Sequence, residues 1–132
     1  MAIIVHAYSK AEDGNKELSK NFKVKEFACS DKSDPIFIAP KLVTILQKVR
    51  THFGKPVKIT SAYRTVEHNK SVGGVKDSQH LYGMAADIKI TGVPPKDVAA
   101  YVEKLMPKTG GIGIYDTFVH VDVRDTRSRW KG

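Results

Sequence analysis

Over residues 39–53 the apolar positions Leu42, Val43, Ile45, Leu46 and Val49 recur at helical spacing. That period predicts an amphipathic helix with one buried stripe. Pro40 suits its first helical position and Gly54 its C-terminal cap. A second stripe, Val98, Tyr101, Val102 and Leu105, predicts a helix over 94–106, and Thr65 is placed to cap a short helix over 65–70. Elsewhere the period falls to two. Residues 57–61 and 86–90 read as strands, and 111–115 and 117–123 as paired strands around Asp116. A further strand is expected within residues 1–10, a loop or short helix over 9–20, and over 21–31 an arm that docks Phe22 and Phe27 on the core. Mixed elements closing on a hairpin predict an α+β fold: a central antiparallel sheet with helices packed on it. Its length suits a single domain, 1–132, with residues 1–20 as an N-terminal extension.

Strand alternation sorts the polar residues onto faces. In 117–123, Val119, Val121 and Val123 point one way, and Phe118, His120, Asp122 and Arg124 the other. Valines belong in the core, so His120 and Asp122 share the opposite face. In 86–90, Ala86, Ile88 and Ile90 take the core side and Asp87 the polar side. If these strands are neighbours, Asp87 lies beside His120, and His80, in the loop before, can fold back above both. Two imidazoles and a carboxylate suit zinc, with a fourth position left to water that the metal acidifies. Gly83, Ala85 and Ala86 would let the backbone turn tightly beneath such a loop. The face pattern alone leaves ordinary surface groups as the alternative.

Bulk properties narrow the field. The net charge is +8, a field that attracts polyanions, including an anionic cell wall. The lysines are scattered, without an arginine-rich run or interleaved aromatics, so nucleic acid is not an expected partner. No stretch approaches the ~20 apolar residues of a membrane span. The start lacks a basic region ahead of its short apolar run, so a cytoplasmic protein is expected, one that reaches the wall by another route. A monomer is expected. The one cysteine, Cys29, forbids an intrachain disulfide and reads as a small apolar residue in a reducing compartment.

Several motifs, spaced along the chain, then carry a likeness. S-Q-H-L-Y-G-M-A-A-D runs from Ser78 to Asp87, and F-V-H-V-D-V-R follows downstream around His120. Upstream stand I-T-S-A-Y-R-T, containing Arg64, with E-H-N-K-S-V-G-G after it, and G-G-I-G-I-Y precedes the last strand. Over residues 20–130 the chain resembles the zinc D-alanyl-D-alanine carboxypeptidase family of peptidoglycan peptidases, in particular a small single-domain subgroup that includes phage endolysins. The resemblance implies a hedgehog-like zinc fold and a peptidase cutting D-amino-acid-containing bonds of peptidoglycan. It implies one zinc ion per chain on His80, Asp87 and His120. Arg64 would meet substrate charge or polarise the scissile carbonyl, as a fork of fixed donors can. Ser78 and Tyr82 would line the substrate side.

The chain departs from the pattern at Thr117, where better-known relatives carry an acidic residue or histidine as general base. Asp122, on the same strand face as His120, is the expected substitute, with Asp116 in the turn as the other choice. Asp122 can instead orient a ligand or Arg124. A non-catalytic, zinc-holding wall-binding module is therefore the alternative function. His68 is expected to cap or pack locally, His6 and His52 to lie outside the constellation, and Trp130 to dock the C-terminal tail.

Overall fold

A computed structural model describes residues 3–132. Strand β1 (His6–Ser9), helix α1 (Lys10–Asp13) and strands β2 (Glu17–Ser19) and β3 (Phe22–Lys23) lead into a 3-10 turn, Val24–Phe27. Strand β4 (Pro35–Ile38) precedes helix α2 (Pro40–Phe53), β5 (Lys58–Ser61), α3 (Val66–Ser71) and a second 3-10 turn, Gln79–Tyr82. Then come β6 (Ala85–Lys89), α4 (Pro95–Leu105), β7 (Gly111–Ile114), β8 (Val119–Asp122) and β9 (Ser128–Lys131). The strand expected within residues 1–10 occupies His6–Ser9, and residues 1–2 lie outside the described residues.

The main sheet runs β5-β6-β8-β7-β9. Its first three pairings are antiparallel, and β9 joins β7 in parallel. The expected α+β fold with a central antiparallel sheet is present, and β9 adds a parallel strand at its edge. Ser128–Lys131 (S-R-W-K) carries no apolar alternation to betray a strand. It is held by distant partners: the Arg129 guanidinium donates to the carbonyls of Gly110 and Met106 at 2.6 Å each and to Glu103 at 2.8 Å.

Ile88, Val119, Val121 and Val123 face the helices, each at most 1% exposed. α4 packs across β7 and β8 and touches α2. All five stripe residues of α2 are buried, each contributing about 1.5–3 kcal/mol. Gly54, at φ 64°, closes α2 in the left-handed conformation. Phe22 and Phe27 are 1% exposed, so the arm over 21–31 does dock on the core. Among the described residues no helix is long and apolar enough to cross a membrane.

Gly83 governs how the His80 turn meets the core. Its φ is +71°, and a Cβ there would overlap the Phe37 carbonyl. Its own carbonyl accepts the Ala39 N–H at 2.9 Å, just before α2. Gly83→Ala is expected to cost on the order of 2–4 kcal/mol. Urea unfolding checks this: the midpoint should fall with the slope retained, and an unmoved midpoint would refute the steric account.

Candidate metal centre

The pairing of β6 with β8 sets Asp87 directly opposite His120, and Ala85 opposite Asp122. His80 comes from the 3-10 turn Gln79–Tyr82. The Ser78 hydroxyl caps that turn by accepting the His80 N–H at 3.2 Å, and Gly83 ends it. His80, Asp87 and His120 are buried, at 3%, 7% and 8% exposure. Asp87 Oδ1 stands 3.3 Å from His80 Nε2 and 3.1 Å from His120 Nδ1.

The back of each ring fixes what its front presents. His80 Nδ1 lies 2.7 Å from the Ala62 carbonyl, which only accepts, so Nδ1 carries the proton and Nε2 turns its lone pair to the cluster. His120 Nε2 lies 2.8 Å from Asp122 Oδ2, so its N–H donates there and Nδ1 faces Asp87. One potential ligand atom from each of the three residues lies within 4.8 Å of the others. Two imidazole lone pairs and a carboxylate oxygen converging on one point fit a zinc ion. Without a metal the two rings hydrogen-bond to Asp87 instead: burial raises its pKa, but His120 and His80 outweigh that and hold the carboxyl well below its usual range. Burial lowers the His120 pKa, and Asp122 and Asp87 more than offset that, so the metal-free imidazole titrates above its ordinary value.

Asp122 occupies the expected face but not the expected role. His120 stands between its carboxylate and Asp87. Its Oδ1 accepts the Gly111 N–H at 2.9 Å and Arg124 Nε at 2.8 Å, and its Oδ2 accepts Arg124 Nη2 at 2.6 Å as well as His120. It is fully buried, and with its lone pairs committed it has none to offer water as a general base. Asp116 is exposed in the turn between β7 and β8 and does not line the cleft. Asp77, which the sequence reading passed over, is the other carboxylate lining the cleft, exposed beside Ser78.

The cleft has a volume of about 590 Å³. Arg64 lines it, held by Nε on the Ser61 hydroxyl at 3.0 Å and Nη1 on Asn69 Oδ1 at 3.1 Å, with Nη2 3.5 Å from Asp87 Oδ2. Ser78 also lines the cleft, with its hydroxyl engaged in the cap. Tyr82 is 49% exposed and lies outside the lining, contrary to expectation. In a turn of three residues per revolution it cannot share the inward face of His80, two positions before. A more apolar groove of about 660 Å³, lined by Tyr8, Val43, His52 and Tyr101 among others, contains no carboxylate.

Trp130 does more than dock a tail. Its ring centroid is 5.1 Å from that of His120, its Nε1–H donates to the Tyr115 hydroxyl at 2.9 Å, and Arg124 lies 5.5 Å over its face. A Cβ at Gly113 would strike this indole, and one at Gly111 the Asp122 carboxylate. The G-x-G alternation in G-G-I-G was the available signal: two side-chain-free positions on the face that carries His120.

A protein-family model, Peptidase M15, matches residues 16–122. The chain is 34% identical over 103 residues to the probable peptidoglycan L,D-endopeptidase MepK of Haemophilus influenzae, covering 70% of this chain and 54% of the relative. It is 32% identical over 99 residues to the peptidoglycan L,D-endopeptidase MepK of Escherichia coli, covering 68% and 53%. The zinc D-Ala-D-Ala carboxypeptidase of Streptomyces albus G is 43% identical over 53 residues, 38% of this chain and 21% of that protein. The chain thus spans about half the length of the first two relatives and less of the third. With a match that takes in His80, Asp87 and His120 and every strand of the main sheet except β9, the chain belongs to the peptidase M15 family.

Proposed function

We propose that the chain is a zinc-dependent endopeptidase acting on the peptides of peptidoglycan, with His80, Asp87 and His120 as the metal ligands. The observation that carries this reading is the pair of back-side hydrogen bonds, His80 to Ala62 and His120 to Asp122, which leave the other nitrogen of each ring free to share a metal ion with the Asp87 carboxylate. When bound, zinc supplies Lewis acidity, polarising a peptide carbonyl and acidifying water. Arg64, with its guanidinium already fixed by Ser61 and Asn69, orients a substrate carbonyl or carboxylate at the cleft. Tyr115 and Phe118, stacked with centroids 4.4 Å apart, and Trp130 give the opposite wall an apolar surface for the peptide. The relatives that match two thirds or more of the chain are named as L,D-endopeptidases, which favours internal cleavage over removal of a terminal D-Ala.

A second reading, a zinc-holding module that binds the wall without cutting it, is favoured by one observation: the two carboxylates expected to act as base, Asp122 and Asp116, do not line the cleft. Digestion of purified peptidoglycan with and without chelator, followed by mass spectrometry of released peptides, separates the two. Chelator-sensitive products of internal cleavage are expected, and their masses name the bond. Tightly held zinc with no products would reject the peptidase reading.

A further inference from the structure

Outside the cleft, a second group of metal-capable side chains comes together. Cys29, Asp31 and His68 each bring a potential ligand atom within 4.8 Å of the others. Cys29 and Asp31 follow the 3-10 turn Val24–Phe27, and His68 lies in α3. The two segments are already fastened together. The Thr65 hydroxyl donates to Asp31 Oδ2 at 2.6 Å while accepting the His68 N–H at 3.1 Å. The Ser33 N–H donates to Asp31 Oδ1 at 2.9 Å, and Ser30 Oγ lies 3.0 Å from His68 Nε2. Cys29 is 2% exposed, His68 half-buried and Asp31 exposed. The sulfur is therefore the buried member of the group and the carboxylate the one open to solvent.

We propose that Cys29, Asp31 and His68 form a second, sulfur-bearing zinc site that staples the 28–34 loop to α3. The donor set selects the metal class. Calcium and magnesium favour oxygen ligands, whereas one sulfur, one nitrogen and one oxygen suit zinc or another borderline divalent ion. Binding displaces the thiol proton to solvent, since the thiolate is the ligand. The placement gives the staple a purpose. Thr65, which bridges the two segments, follows Arg64 in the chain, and Arg64 reaches Asp87 in the cleft. This reading goes beyond the expectations that Cys29 is a small apolar residue, that His68 caps or packs locally and that the chain holds one zinc.

Cobalt(II) tests it on the full, metal-stripped chain. A thiolate ligand gives a sulfur-to-cobalt charge-transfer band in the near ultraviolet. The cleft's nitrogen and oxygen ligands give none, so the band reports this site whether or not the cleft takes up metal. We expect the band to appear on titration, to persist in His120→Ala, and to be lost or to need much higher cobalt in His68→Gln and Asp31→Asn. Those two variants alter side chains that are not fully buried, so they keep the test valid should Cys29→Ser fail to fold. No band with cobalt in excess, or a titration unchanged in both His68→Gln and Asp31→Asn, overturns the proposal.

Discussion

Replacing His120 with alanine is expected to abolish peptide cleavage and strip most of the metal from the cleft. The residue sits in the middle of the sheet, between β6 and β7, and its ring joins two carboxylates: Asp87 at 3.1 Å through Nδ1 and Asp122 at 2.8 Å through Nε2. Removing it deletes one of three proposed ligands and disconnects the remaining pair from the Asp122 and Arg124 support. Loss of a group that merely orients a ligand weakens metal binding about 10–100-fold, so loss of the ligand itself should exceed that. Zinc content after dialysis and release of peptides from peptidoglycan give the readouts, with circular dichroism to confirm folding. A folded variant that keeps its metal and its turnover would refute the assignment of His80, Asp87 and His120.

The parts of this centre that the sequence displayed are those governed by period. Two short strands with apolar residues at alternate positions placed Asp87 and His120 on one face, and their register sets them directly opposite one another. Pro40 and Gly54 likewise marked α2 to within a residue. What stayed hidden depends on contacts between distant segments. β4 and β9 are short edge strands, and β9 owes its place to Arg129 and Trp130 meeting groups far away in the chain. Face assignment put Asp122 on the polar side but could not show that the His120 ring would stand between it and Asp87, or that Arg124 would take up its oxygens. Cys29 and His68 belong to separate segments that only the tertiary fold unites.

Asp122 provides the second large effect. Its carboxylate is fully buried and ties together Arg124, the Gly111 N–H and His120. Asp122→Ala leaves those donors without a partner, and breaking a buried pair in this way costs about 3–5 kcal/mol. Burial raises the Asp122 pKa, but the Arg124 fork and His120 outweigh it and hold the carboxyl well below its usual range. A carboxyl depressed in the folded state contributes stability that is present above its unfolded pKa of about 3.9 and is lost as pH falls. The difference in stability between wild type and Asp122→Ala should therefore shrink as pH falls below about 4. Asp122→Asn separates positioning from base catalysis. The amide keeps the shape but weakens the grip on the His120 Nε2–H, so zinc affinity should drop about 10–100-fold and excess zinc should restore most of the cleavage rate. A base would behave otherwise: affinity would stay at the wild-type level and no amount of zinc would recover the rate. That second outcome would return Asp122 to the catalytic role its strand face first suggested, and would require the carboxylate to leave Arg124 when substrate binds.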